Sequence, residues 1–444
     1  MIKSTDHVPA SGGVISPLEH ARVAVATSTL NTASRIGRRF GDPLASLDAP
    51  GGPDDRLALF RSMIASGPLL RSKLGPFLTA SHAGCHAVFT SPHASSLPAS
   101  RDSVFERLFD PTVTVGRSQP LSGSFIEMDA PDHTRLRRLV QRGFTPKSIA
   151  AHHAVVCDVA DELIASFPRR GPVDLVDAFA RPLPMRVIAR LMGVPADDLR
   201  RFDAWGDGIV AALDRPRSRG QAVEVFRVTG EIDSFFRGLV ADRRRSPGDD
   251  LVSVLAEQAD GDVLTDDELV GTLSLLLIAG FETTVNLIGT GTSTLVANPD
   301  QLQRLASDPD QHLANTVEEA LRFETPVQFT FRRARAPIEV APGHVVPEGD
   351  EVITVIGAAN RDPAVFDHPD RFDIARPNAR RHLAFVTGPH ACLGGALARL
   401  EAATAWRSLL DAFGDVDRWR VVGEPVAGAS QIIRGWRHLP MSFA

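Results

Sequence analysis

Phe385-Val386-Thr387-Gly388-Pro389-His390-Ala391-Cys392-Leu393-Gly394-Gly395-Ala396-Leu397-Ala398-Arg399 is the stretch on which the reading of this chain turns. Glycine and proline bend its first half into a loop that presents the Cys392 thiol, and strong helix formers follow from Leu393 to about Leu410. A cysteine just ahead of a helix amino terminus has its thiolate favoured by the helix dipole and by free backbone N–H groups. Such a sulfur could ligate iron, attack a substrate carbon or be an inert buried thiol. For one cysteine taken alone the inert thiol is the commonest case.

Upstream, Leu269 to Leu295 reads as a long buried helix. Within it, Ala279-Gly280-Phe281-Glu282-Thr283-Thr284 places an acid and two hydroxyls where burial is costly without partners. Taken alone, the threonines would bond back to the i−4 carbonyls and Glu282 would find a cation. Between helix and loop, Glu319-Ala320-Leu321-Arg322 sets opposite charges three apart on one helix face, and Pro369-Asp370-Arg371-Phe372 follows. Earlier, His133 and Arg137 fall at i,i+4 in Asp132-His133-Thr134-Arg135-Leu136-Arg137. Arg332, with Arg333 beside it, ends Pro326-Val327-Gln328-Phe329-Thr330-Phe331. Any one of these charges by itself is most simply a solvated surface group.

Their order changes that weighing. The spacing of Phe385, Gly388, His390, Cys392 and Gly394 resembles the haem-ligand loop F-x-x-G-x-H-x-C-x-G of the cytochrome P-450 superfamily, with Val386 where that family very often has Gly. Ala279 to Thr284 is similar to its oxygen-activation motif, A-G-x-(D/E)-T-(T/S). Glu319 with Arg322 resembles its E-x-x-R helix, Pro369 to Phe372 its P-x-R-F element, and His133 with Arg137 its H-x-x-x-R propionate clamp. The agreement runs from about residue 130 to 435, and the most similar members are soluble actinobacterial, mycobacterial-type forms.

The resemblance implies a mainly α (α+β), triangular fold with a small β-rich region. Residues 54–444 would form the haem-binding catalytic domain behind a partly ordered extension, 1–53. It implies haem b (iron protoporphyrin IX) held by the Cys392 thiolate, whose electron donation favours O–O cleavage. Phe385 would pack near the sulfur and Gly394 would permit the turn. Ala279 and Gly280 would let the central helix pass close to the haem, at a local distortion that makes room for dioxygen. Glu282 would be the proton-relay acid and Thr283 the hydroxyl donor. His133, Arg137, Arg332 and His390 would neutralise the propionates, and Glu319, Arg322 and Arg371 would form a buried structural triad. The activity implied is a monooxygenase that inserts one atom of dioxygen into an apolar organic substrate. No flavin- or nicotinamide-binding segment is visible, so electrons would come from a ferredoxin docked on Arg135, Arg138 and Arg142.

Composition agrees with a folded protein of this kind. Of 444 residues, 43% are hydrophobic and 23% charged, near globular averages. A net charge of −6 argues against a general nucleic-acid binder. Cys85, Cys157 and Cys392 are too dispersed for a disulfide framework or a four-cysteine zinc site, which suits a reducing cytoplasm. His82, Cys85 and His86 lack further ligands nearby for a metal. Leu269 to Gly280 is about half the roughly 20 residues needed to span a bilayer, so no integral membrane segment is expected, and Met1 to His7 begins no continuous apolar run of the kind a secretion signal needs. The rival readings are a haem-thiolate peroxygenase or isomerase, a non-catalytic haem sensor, and a thiol hydrolase using Cys392 with His390. Specificity would lie in residues 91–124, Asp214 to Gly220, Val327 to Phe331 and Ala429 to Ile433.

Overall fold

The structure is a computed structural model that describes residues 17–49, 53–97, 121, 123–168, 171–214, 216–260 and 264–443. Its axis is the helix Asp266–Ala297. Thr265 starts it with a reciprocal cap: its hydroxyl accepts the Glu268 N–H while the Glu268 carboxylate accepts the Thr265 N–H. Asp266, Asp267 and Glu268 put negative charge at the positive end of the dipole. Beyond that first turn the helix is apolar and buried on nearly every side. By length and composition it could cross a membrane, yet 83% of its most apolar window is buried inside the molecule.

Helices Pro182–Leu191, Arg219–Arg245, Pro309–Phe323 and Gly395–Ala412 pack around this axis. The last of them carries the chemistry-bearing loop at its amino end, and its seating is fixed by a close approach. Trp406 is fully buried over Gly291, where an added Cβ would lie 2.3 Å from the indole Cζ2. The indole N–H donates to Thr292 Oγ1 at 3.0 Å, so the ring's polar edge is satisfied as well.

The β structure is small. Five short strands run in the order Leu70–Arg71, Phe77–Thr79, Glu351–Thr354, Thr330–Ala334 and Ala94–Ser95. Phe77–Thr79 pairs in parallel with Glu351–Thr354, and the other pairings are antiparallel. Thr330 lies opposite Thr354 and Arg332 opposite Val352, which fixes the face on which Arg332 emerges. The α+β architecture expected from the sequence is therefore observed. Ahead of residue 54, the helix Pro17–Arg39 packs on Pro43–Leu47 and on Arg219–Arg245, and Leu47 shares an apolar cluster with Phe60, Phe329 and Val355. Most of the segment 91–124 lies outside the described residues.

Candidate functional site

The Cys392 loop is built by its own backbone and by a neighbour. Cys392 N–H donates to Phe385 O at 2.9 Å, and Ala391 N–H to Gly388 O at 3.1 Å. Gly388 has φ 78°, and a Cβ there would meet the Phe89 carbonyl oxygen at 2.3 Å. Backbone conformation and close approach both demand glycine. Gly388→Ala should therefore cost about 2 to 5 kcal/mol; thermal unfolding will measure this, and an unchanged midpoint would contradict the packing described.

Val386 is a β-branched residue at φ 48°. That strain is of order 1–3 kcal/mol, and it is offset by packing of the side chain with the Cys85, Phe89, Ile356 and Leu383 cluster. The substitution away from glycine thus alters backbone strain as well as packing.

The helix Gly395–Ala412 begins two residues after the cysteine's neighbour, and the N–H groups of Gly394 and Gly395 donate to the sulfur. Burial raises the thiol's pKa, against those two amides and the charges of Arg137 and Arg399. The features that the sequence offers for a thiolate are all present, but desolvation outweighs them. Cys392 nevertheless has accessible surface, so the sulfur lies at the wall of an internal void. The Phe385 ring packs 4.5 Å from the Arg399 guanidinium.

Arg399 is itself held by Glu318, at 2.7 Å and 3.1 Å, and His382 binds the same carboxylate at 2.9 Å. Burial pushes Glu318 up, but these hydrogen bonds outweigh it and hold the carboxyl at about 2. The sequence reading missed Glu318, whose only signal is its place beside Glu319.

Glu319 and Arg322 are fully buried and joined at 2.7 Å and 2.8 Å. The third member of the triad is Arg376, whose Nε lies 3.1 Å from both Glu319 oxygens. It is not Arg371, whose side chain is exposed and whose carbonyl accepts from both Arg322 and Arg376. The guanidinium needed inside is thus supplied five residues later than expected, because the turn aims Arg371 outward.

His133, Arg137, Arg332 and His390 converge from three elements. The His133 and His390 rings are 4.0 Å apart between centroids, and Arg137 Nη2 donates to Ala391 O. Burial, then His133, Arg332 and Arg137, push His390 down to about 3. Burial also lowers His133 and brings Arg332 down to about 10. Arg333 instead donates to the Gly349 carbonyl at 3.4 Å. The acid felt by this cluster is Asp129, already engaged by Ser95, Ser96 and Arg335. His133 Nε2 is buried with no hydrogen-bond partner. Clustered cations and an orphaned nitrogen fit a buried group bearing carboxylates.

On the central helix, Ala279, Gly280 and Thr283 keep partial exposure among buried neighbours. Their spacing puts them on one face, as expected for a wall of the same void. The helix is continuous here, without the expected distortion, and Thr283 Oγ1 donates to Ala279 O at 3.1 Å. A Cβ on Gly280 would touch only Ile188 at ordinary contact distance, and one on Gly394 would meet nothing within 4 Å. Chain packing does not require either glycine. Glu282 is buried, with Asn286 Nδ2 at 3.4 Å and Arg181 Nη1 at 3.7 Å. The sequence suggested a cation for Glu282 without identifying Arg181, which lies more than a hundred residues away. Thr284 bonds the buried Glu401, whose carboxyl burial pushes up to about 8.

Fold, desolvated sulfur and cationic cluster define a haem-thiolate protein. Comparison with known proteins agrees: the cytochrome P-450 family model matches residues 222–415. A cytochrome P-450 140 of Mycobacterium tuberculosis is 37% identical over 421 residues, covering 92% of this chain and 94% of the relative. The 6-deoxyerythronolide B hydroxylase of Saccharopolyspora erythraea is 40% identical over 316 residues, covering 70% and 76%. A ligand-free cytochrome P-450 of Mycobacterium smegmatis superposes with a TM-score of 0.81 at 34% identity, covering 90% of this chain and 99% of that one. The chain belongs to the cytochrome P-450 family. It is a monooxygenase of that family, whose members bind iron protoporphyrin IX through a cysteine thiolate.

Proposed function

We propose that residues 54–444 form the catalytic unit of a ferredoxin-dependent monooxygenase that hydroxylates an apolar organic substrate. The observation that carries this reading is the pairing of a desolvated sulfur at Cys392 with a buried acid, Glu282, and a partly exposed alcohol, Thr283, in the one fold. Cys392 would be the iron ligand, with Phe385 and Gly394 shaping its loop. His133, Arg137, Arg332 and His390 would bind the propionates, and Ala279 and Gly280 would lie along the haem face. When bound, the haem supplies the iron at which dioxygen is reduced and one oxygen atom passes to substrate.

The chain supplies the protons. The Thr283 hydroxyl, now bonded to Ala279 O, turns to donate into the void, and Glu282 replenishes it. Arg181 Nη1 stands 3.7 Å from Glu282 Oε2, beyond hydrogen-bond distance, so it attracts the carboxylate without fixing it in place. Thr283→Ala should leave consumption of reduced nicotinamide in the reconstituted system near wild type. Product per reductant should fall at least about tenfold, the remainder appearing as hydrogen peroxide. Unchanged coupling would overturn the role.

A ferredoxin as donor is supported by exposed Arg138 and Arg142, one helical turn apart behind the cysteine loop. Arg135 is less available, being paired with Glu268 and near Asp132. Reversal of both exposed charges to Glu should slow association with an acidic ferredoxin at least about tenfold and flatten its salt dependence. Stopped-flow reduction will measure this, and an unaltered rate would exclude the surface. Three unpaired cysteines suit action in a reducing cytoplasm. An apolar guest is supported by the apolar residues of Val327 to Phe331 and Ala429 to Ile433.

A further inference from the structure

Arg56 is a buried cation with no counter-ion in contact among the described residues. It stands on the helix Pro53–Ala65 and is 7% exposed. Nη2 donates to Gln431 Oε1 at 2.5 Å, a neutral acceptor, and Nη1 is buried with no hydrogen-bond partner. The charges it feels are Arg434, which repels it, and Asp214, which attracts it. Asp214 Oδ2 already accepts the Gln431 N–H at 2.8 Å and faces Arg217 Nη2 at 3.9 Å. Arg434 in turn feels Glu324. A guanidinium has five donors in a planar fork and stays charged at neutral pH, so among the described residues no acceptor meets Nη1.

The position of Arg56 says what that acceptor belongs to. Asp214 and Gln431 come from two of the segments expected to meet substrate. The third, Val327 to Phe331, is tied on by the Val327 and Ile433 bridge and by Gln328 N–H donating to Ile432 O at 2.8 Å. Phe60, one turn along from Arg56, packs in an apolar cluster with Phe329 and, at its edge, Ile432. A cation thus sits beside the buried apolar cluster that joins these segments.

We infer that Arg56 is an anchor for the carboxylate of the substrate, so that the molecule oxidised is an amphiphilic acid with a long apolar body rather than a neutral guest. The inference rests on the proposed monooxygenase reading for the location of the substrate, and its calorimetric test does not read the iron. Straight-chain acids from octanoic to hexadecanoic and their methyl esters would be titrated into the holoprotein by calorimetry and, in parallel, by the shift of the Soret band. The expected result is that one or more acids bind about tenfold or more tightly than their esters. Arg56→Gln, which keeps the size and loses the charge, should abolish that preference while ester affinity stays the same.

Equal affinity of acid and ester for the wild type would overturn the inference and leave only a buried water at Nη1. So would a preference for acid that survives in Arg56→Gln, or competition by acetate as effective as the long acids, which would mark a simple anion site. Failure of the monooxygenase reading would look different: reduced protein with carbon monoxide would lack the red-shifted Soret band, whatever calorimetry reports at Arg56.

Discussion

Arg322→Ala should yield no recoverable holoprotein. All five guanidinium donors are used: Nε and Nη2 on the Glu319 carboxylate, Nη1 on the carbonyls of Asn360 and Pro369, and Nη2 again on that of Arg371. Arg322 and Glu319 are wholly excluded from solvent. Removing one partner of a buried pair costs about 3–5 kcal/mol because the other charge is stranded. Here the carbonyls of Asn360 and Pro369 lose their donor too, while Glu319 and the Arg371 carbonyl keep Arg376, and a domain has only about 5–15 kcal/mol in total. Arg322→Lys should fail nearly as badly, since three donors on a point charge cannot span four acceptor groups. Arg371→Ala is the informative contrast. Its side chain is exposed and its role lies in the carbonyl, so the unfolding midpoint should move little, by about 0.5 kcal/mol or less. Soluble yield and thermal unfolding check all three, and a stable, haem-loaded Arg322→Ala would refute the account of this core.

Cys392→Ala should keep the fold and lose the spectrum. The bonds that shape the loop run through the backbone, including Cys392 N–H to Phe385 O, and survive the change. The side chain faces a void rather than tight packing, so unfolding should shift by about 1 kcal/mol or less. The sulfur is the one atom lost, and with it the iron–thiolate bond whose signature is the red-shifted Soret band of the reduced carbon monoxide complex. That band should vanish and turnover should fall below detection. Its persistence in the alanine variant would remove the basis of the assignment to Cys392.

What could be read from residues alone was whatever spacing encodes. The Cys392 loop, the acid and alcohol on the central helix and the i,i+3 pair of Glu319 and Arg322 depend on neighbours a few positions apart, and each is where that spacing predicts. Partners set by tertiary geometry were not legible. Arg376 replaces Arg371 because a turn decides which of two arginines points inward. Arg181 reaches Glu282 from a distant turn, and Glu318 looks like any acid on a helix until His382 and Arg399 are seen upon it. Arg332 and Arg333 could be told apart only by strand register, since alternate residues face opposite sides of a sheet.

Glu318 and Glu319 are neighbours on a single helical turn, yet they grip different parts of the molecule. One is clamped to the residues behind the sulfur, the other to the long meander that precedes it. The turn behaves as a shared bolt. Any change that loosens this turn would therefore loosen its grip on both parts at once.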